Sequence, residues 1–392
     1  MNNFEYYAPT KIVFGVGEFE NLGREVNIYG KRALLVEQNG PLDEMGVFDS
    51  AISYMKDCSI DVFELKGVES NPKLSKIEEG IDFVRENNIE VIVAVGGGST
   101  IDTAKAIAFG SVIDVDVWDY FSLKREIESS LPVVAVSTIS ATGAETSMHC
   151  VVTNDRDDDS SNWQKWAVHS PYVFPKTAVI DPILLKSVPK RLTAAGMADT
   201  ISHIIEGYFD GVPNNPISDR IGEGIVKTVI ENDYVLDDLN DLNARSNIAW
   251  ASTLAMSGLQ DCGRSNEGFP AHWIQHAVGA MTDSSHGEGL AVINPAWLIL
   301  QNEKDSSKFV QFTKRVFNLD KGSMSNKKYG LKGIELLKEK FASWGLPSSL
   351  SQLGVKEEMI MDIVDKVMNS KETYIFDRDE VMKVLKMCLY NK

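Results

Sequence analysis

Val91-Ile92-Val93-Ala94-Val95-Gly96-Gly97-Gly98-Ser99-Thr100-Ile101-Asp102-Thr103-Ala104-Lys105 reads as a strand, a glycine turn and the start of a helix. Val91 to Val95 offers no polar position, the pattern of a strand covered on both faces in a parallel sheet. The glycines let a backbone come close to a ligand. Beyond them, the N–H groups at the helix start face outward with the positive end of the helix dipole behind, an arrangement that binds phosphate. Ser99 is placed to cap the helix and to donate to a phosphate oxygen, and Asp102 follows three residues on. The spacing is neither GxGxxG nor GxxxxGK[ST]. From these residues alone a tight strand–helix turn with an ordinary capping box is an equal reading.

Outward from this stretch the pattern repeats. Ala33 to Val36 and Val133 to Val136 are further β-branched runs, and Ile77, Ile81 and Val84 are spaced as one face of a helix that stops at Asn87-Asn88. Alternating strands and helices imply an α/β layer fold. Hydroxyls and small residues from Ser137 to Thr146 follow a strand end, where a ligand lies across a sheet edge; an ordinary polar loop is the plainer alternative. Past Asp181-Pro182 the strand signals fade. Leu192–Tyr208, Ser218–Asn232, Asn243–Gly258, Ala271–Met281, Pro295–Gln301, Gly333–Trp344 and Lys356–Val367 read as helices, with Trp250 expected in the core of one of them. The expectation is an α/β domain with a parallel sheet over 1–187 and an all-helical domain over 188–392, with a ligand crevice between them.

Composition narrows the function classes. A formal net charge of −17 argues against nucleic acid or anionic membrane surfaces as partners. Cys58, Cys150, Cys262 and Cys388 are far apart with no CxxC pair, which suits a reducing compartment rather than a disulfide framework or thiolate zinc site. Met1 to Pro9 lacks the pattern of a secretory signal, and no apolar run has the length of a spanning helix, so the cytoplasm is expected. Asp155 to Asn162 reads as a solvated hairpin tip.

Of six histidines, three fall between Ala271 and His286. Asp199 and His203 are four residues apart on one helix, and His272 and His276 repeat the spacing on a later one, so each pair leaves one helix face. His286 follows in Asp283-Ser284-Ser285-His286-Gly287-Glu288-Gly289, expected to be a loop whose glycines bend the backbone to aim the ring. Imidazoles with a carboxylate and no sulfur suit Fe(II), Zn(II), Mn(II) or Co(II). Helix caps or satisfied core histidines are the plainer alternative.

These motifs together resemble the iron-dependent (group III) alcohol dehydrogenases, especially their bacterial butanol dehydrogenase and aldehyde reductase branch. The resemblance runs from Tyr7-Ala8-Pro9-Thr10-Lys11 to the C-terminal helices. Its most specific parts are Gly96-Gly97-Gly98-Ser99 with Asp102, Ala195-Gly196-Met197-Ala198-Asp199 with His203 and Glu206, His272-Trp273-Ile274-Gln275-His276, and His286-Gly287. It implies a dehydroquinate synthase-like architecture, iron or zinc on Asp199, His203, His272 and His286, and His276 as a non-ligand near nicotinamide and substrate, suited to relaying a proton. It implies a pyrophosphate held by Gly97, Gly98 and Ser99, with Asn71, Asp102, Thr138, Thr142 and Lys165 lining the cofactor site and His149 nearby. It also implies a homodimer joined through N-terminal strands. NADP-using members of this branch carry a glycine-rich turn with Ser after the second strand, where this chain has Val36-Glu37-Gln38-Asn39-Gly40; Glu37 would repel a 2′-phosphate if it faced the ribose, and the common NAD-selecting aspartate aligns with Gln38. The balance leans to NAD. The implied activity is hydride exchange between NAD(P) and a small primary alcohol or aldehyde polarised by the metal. A glycerol or other polyol dehydrogenase on the same fold, and a metal- or nucleotide-binding protein without turnover, are the competing readings.

Overall fold

The computed structural model describes residues 1–159, 162–265, 268–370 and 377–390. Ser160 and Ser161 of the expected hairpin tip lie outside them. Contacts divide the chain into one unit of Ala8–Pro189 and a second of Met1–Tyr7 with Lys190–Lys392.

The first unit carries β1 (Lys11–Phe14), β2 (Arg32–Gln38), β3 (Asp61–Val68), β4 (Val91–Gly96), β5 (Val133–Ser137), β6 (His149–Asn154), β7 (Gln164–His169) and β8 (Thr177–Ile180). Its helices are α1 (Leu22–Val26), α2 (Pro41–Glu44), α3 (Val47–Asp57), α4 (Leu74–Asn87), α5 (Gly98–Gly110) and α6 (Trp118–Phe121). Six strands form a parallel sheet in the order β1-β8-β5-β4-β2-β3, while β6 and β7 make a separate antiparallel hairpin.

Every residue of β4 is buried because helices cover both faces. Ala33, Leu35, Val91, Val93 and Val95 pack with Leu22, Val26, Val47 and Ala51 on one face. Leu34, Val36, Ile92 and Ala94 pack with Ile77, Ile81, Ala104 and Ile107 on the other. The chain runs from β2 out to β3 and then returns past β2 to β4, so the winding direction reverses between β2 and β4. In open α/β sheets the strand ends at such a reversal are where ligands settle. Here those ends are Gln38 and Gly96.

The second unit is helical: α7 (Lys190–Tyr208), α8 (Pro216–Glu231), α9 (Leu242–Ala255), α10 (Pro270–Thr282), α11 (His286–Lys304), α12 (Ser307–Phe317), α13 (Asn326–Ser343), α14 (Ile360–Met368) and α15 (Arg378–Cys388). From Thr193 to Glu206 every residue of α7 is buried, the mark of a central helix. Its Met197, Ile201, Ile204 and Ile205 pack with Val226, Ile248, Leu298 and Leu337.

Two expectations fail here. Helix α11 begins nine residues before Pro295 and runs through it, so that proline lies inside the helix rather than at its start. Trp250, expected in the core, is 41% exposed on α9; the helix is buried through Ala244, Ile248, Ala251 and Ala255 instead. No helix among the described residues is long and apolar enough to cross a membrane.

Candidate metal centre and phosphate turn

Helix α7 presents Asp199, His203 and Glu206 at spacings of four and three, hence on one face. Helix α10 presents His272, Gln275 and His276 in the same way. Pro270 sits in its first turn, where its missing N–H is not needed. The remaining N–H groups at that helix start meet Glu206, whose Oε2 accepts from Ala271 N at 2.7 Å and His272 N at 3.3 Å. Glu206 thus caps α10 from α7 and places a negative charge at its positive end.

His286 is not in a loop: it is the first residue of α11. The glycines beside it serve helix packing rather than a bend. A Cβ on Gly287 would lie 2.0 Å from the backbone oxygen of Ala195, and one on Gly289 would lie 2.7 Å from Cγ of Gln275. The first turn of α11 is therefore wedged against both α7 and α10, and this delivers His286 to Asp199.

The imidazoles converge on one carboxylate oxygen. From Asp199 Oδ1, Nε2 of His286 is 3.6 Å away, that of His272 3.8 Å and that of His203 3.9 Å. Ligand atoms of Asp199, His272 and His286 all lie within 4.8 Å of one another. His203 adjoins this trio, its ring centroid 4.6 Å from that of His272. Asp199 is 1% and His203 5% exposed.

The distances are too long for hydrogen bonds, yet they match the roughly 3–4 Å between donor atoms around a cation bonded at about 2.1 Å. The far sides of two rings are fixed as well: His272 Nδ1 donates to Glu206 Oε1, and His286 Nδ1 to Gln275 Oε1. Each ring so held turns an Nε2 lone pair to the centre. These residues fit a metal of the Fe(II) or Zn(II) kind.

His276 stands outside the trio. Its ring centroid is 5.4 Å from that of His286, and the Trp273 ring stands perpendicular to it at 4.7 Å. Phe269 packs edge-on against His272 at 5.2 Å and His203 at 6.2 Å. Sequence reasoning missed the part played by Gln275 and by the cap of Glu206. The signal for Gln275 was its place three residues after His272, on the same face. Glu206→Gln is expected to keep the fold and weaken metal affinity by roughly 10–100-fold, read by competition with a chelator. Unchanged affinity would show that the carboxylate does not support His272.

In the other unit, α5 starts at Gly98 with Gly97 as its cap, so Ser99 lies within the helix and does not cap it. Ser99 Oγ instead accepts from the Asn71 backbone N–H at 3.2 Å, and Lys165 Nζ donates to Asn71 Oδ1 at 2.7 Å. The glycines are needed by the chain's own packing. A Cβ on Gly98 would lie 2.4 Å from Thr142 Oγ1, and one on Gly97 2.8 Å from Ile139 Cγ2. Gly97 N–H is taken by Gln38 Oε1 at 3.0 Å. The anion-facing donors are then the N–H groups of Gly98 and Ser99, at the head of a 13-residue helix.

Thr138 N–H closes the neighbouring strand end onto Gly96 O at 3.0 Å. Asp102 lies a turn deeper, accepting from Val151 N–H at 3.0 Å with Lys105 Nζ at 3.5 Å. Burial raises its carboxyl above the usual range against the pull of Lys105. Asp102 ties α5 to β6. His149 is half-buried on that strand and faces His169 across the hairpin. The structure thus gathers Asn71, Gly97, Gly98, Ser99, Thr142 and Lys165 at one strand end.

Two family profiles match the chain: "Iron-containing alcohol dehydrogenase" over residues 9–182, and "Fe-containing alcohol dehydrogenase family, C-terminal" over residues 193–389. The chain belongs to the iron-containing alcohol dehydrogenase family. Among similar members, NADH-dependent butanol dehydrogenase A of Clostridium acetobutylicum is 36% identical over 95% of both chains. The NADPH-dependent aldehyde reductase YqhD of Escherichia coli is 30% identical over 97% of both. The crystal structure of NADH-dependent butanol dehydrogenase A from Thermotoga maritima matches with a TM-score of 0.93 at 35% identity, covering 100% of this chain and 99% of that one. As an iron-containing alcohol dehydrogenase, the chain carries its candidate ligands on α7, α10 and α11 and its glycine turn between β4 and α5.

Proposed function

We propose that this chain is a metal-dependent, NAD(P)-linked alcohol dehydrogenase and aldehyde reductase acting on small primary alcohols and aldehydes of the butanol type. The observation that carries this reading is the convergence of three imidazole nitrogens on Asp199 Oδ1, with two of the rings oriented from behind. Asp199, His203, His272 and His286 would hold the metal, iron or zinc. When bound, the metal supplies Lewis acidity to the alcohol or carbonyl oxygen, and the nicotinamide takes or gives hydride.

The chain's own residues do the rest. Asp199 offsets part of the cation's charge inside a buried site. Glu206 and Gln275 keep His272 and His286 in the tautomer that binds. Gly98 and Ser99 offer N–H groups to a pyrophosphate, with Lys165 and Asn71 beside them. His276, 7% exposed, carries a proton between substrate and solvent on a ring nitrogen. Asn266 to Gly289 contains no Lys or Arg, and the Phe269 ring packs beside the ligands. Both features favour a small neutral substrate over a phosphorylated one.

We also infer a cytoplasmic homodimer. The four separate thiols suit a reducing compartment, and β1 at the sheet edge leaves its outer backbone groups to a second copy.

The test is oxidation of NADH or NADPH by butanal, using chelated protein and protein reloaded with Fe(II) or Zn(II) under anaerobic conditions. Turnover is expected only after reloading, with glycerol in the reverse direction a poor substrate. Equal turnover by the chelated protein would remove the metal from the mechanism. Glycerol oxidised faster than butanol would favour a polyol dehydrogenase.

A further inference from the structure

We propose that His149 and His169 form a second transition-metal site, a two-imidazole clamp across the β6–β7 hairpin for a borderline divalent cation such as Cu(II), Ni(II) or Zn(II). Of the six histidines, four lie at the metal centre on α7, α10 and α11. The remaining two, in the other unit, stand directly opposite each other on paired strands.

Register decides how close they come. Ser170 N–H donates to Met148 O at 3.1 Å, so the His149–His169 pair that it flanks does not itself exchange backbone hydrogen bonds. In an antiparallel ladder such pairs are the narrow ones, with Cα atoms about 4.5 Å apart and side chains at their closest. The two rings accordingly sit 5.8 Å apart between centroids, tilted by 49°. The rings of His272 and His286, whose nitrogens cluster at the metal centre, are 5.1 Å apart. Small rotations of the two side chains close the remaining difference.

The alternation of the strands keeps this pair off the core. Cys150, Val152 and Val168 are buried, with Trp166 packed against them. His149, Val151 and Thr153 leave the other face of β6, opposite His169, Ala167 and Lys165. His149 is half-buried and His169 exposed. Their contact hides little apolar surface, and water has access to complete the coordination of a cation.

The backbone beneath His149 is fixed. Its N–H donates to Ser147 Oγ at 3.0 Å, and its carbonyl accepts from the buried Lys105 Nζ at 2.7 Å. That ammonium has Asp102 3.5 Å away, and the chain as a whole carries a net charge of −17, which favours cations. Imidazole donors suit copper, nickel and zinc, with Cu(II) the tightest. Lys165, further along the same face of β7, donates to Asn71. A cation gripped by both rings therefore braces the hairpin that brings Lys165 to the phosphate turn.

The experiment is dialysis of untagged protein, already loaded with Zn(II) at the metal centre, against micromolar Ni(II), with both metals measured by elemental analysis. One Ni(II) per chain is expected without loss of zinc. His169→Ala reduces the chelate to a single donor and should weaken Ni(II) binding by roughly 100-fold, with zinc content and turnover unchanged. Amide hydrogen exchange in β6 and β7 should slow on adding Ni(II) to the wild type and not to His169→Ala. Equal Ni(II) affinity in the two proteins, no uptake by the wild type, or uptake only as zinc leaves, overturns the proposal.

Discussion

Replacing His272 by alanine is expected to lower turnover by a factor of a thousand or more and to leave the purified protein short of metal, with its fold intact. Lewis-acid stabilisation contributes several kcal/mol, and each 1.36 kcal/mol is tenfold in rate, so losing about 4 kcal/mol alone costs close to a thousandfold. The variant removes one of the three residues whose ligand atoms cluster within 4.8 Å. It should nonetheless fold, because Glu206 keeps its acceptor role toward the backbone N–H groups at positions 271 and 272. The α10 cap therefore survives the loss of the ring. The contrast is His276→Ala, which lies outside the trio and should keep full metal content while losing rate. Elemental analysis beside a steady-state assay separates the two variants. A His272→Ala protein with wild-type metal content and turnover would sink the metal assignment.

What could be read in the sequence, and what could not, divides by physical range. The parallel sheet was legible at Val91–Val95 and Val133–Val136 because a strand covered on both faces admits no polar residue. The pairs Asp199/His203 and His272/His276 were legible because helical spacing is local. Which of the four imidazoles gather most tightly was not, since that depends on how three helices pack. In the sequence Gly287 and Gly289 suggest the hinges of a loop; their actual role, close approach to Ala195 and Gln275, involves residues 92 and 14 positions away in the chain. The same holds for the glycine turn. Its composition suggested backbone laid open to a ligand, whereas Gly97 and Gly98 are crowded by Ile139 and Thr142, and Gln38 occupies one of the N–H groups. Glu37 was the subtlest case. A charged residue at a strand end is visible in any sequence, yet Glu37 is 2% exposed, because the alternation of β2 puts it on the face of Ala33 and Leu35 that packs on α1 and α3, with Lys66 Nζ 3.9 Å away.

The packing of α11 on α7 yields the second large effect. Gly287→Ala is expected to lower the melting temperature by roughly 5–10 °C and to weaken metal binding by roughly 10–100-fold. The added Cβ would stand 2.0 Å from a backbone carbonyl oxygen in the central helix, with the carbonyl carbon at 2.7 Å and Cα at 3.2 Å. No flexible side chain is there to yield, so the helices themselves must separate by an ångström or more. Overpacking of this kind costs about 1–3 kcal/mol or more, which is several degrees in a unit of this size. His286 precedes the substituted residue and moves with it, and disturbing what orients a ligating histidine costs about 10–100-fold in metal affinity. A helical glycine elsewhere supplies the control. Gly224 in α8 has nothing within 4 Å of its Cβ position, so Gly224→Ala should leave metal binding alone and raise stability by up to about 1 kcal/mol through helix propensity. If both variants melt alike and bind metal alike, the close approach at Ala195 is not what seats His286, and another contact must bring that ring to Asp199.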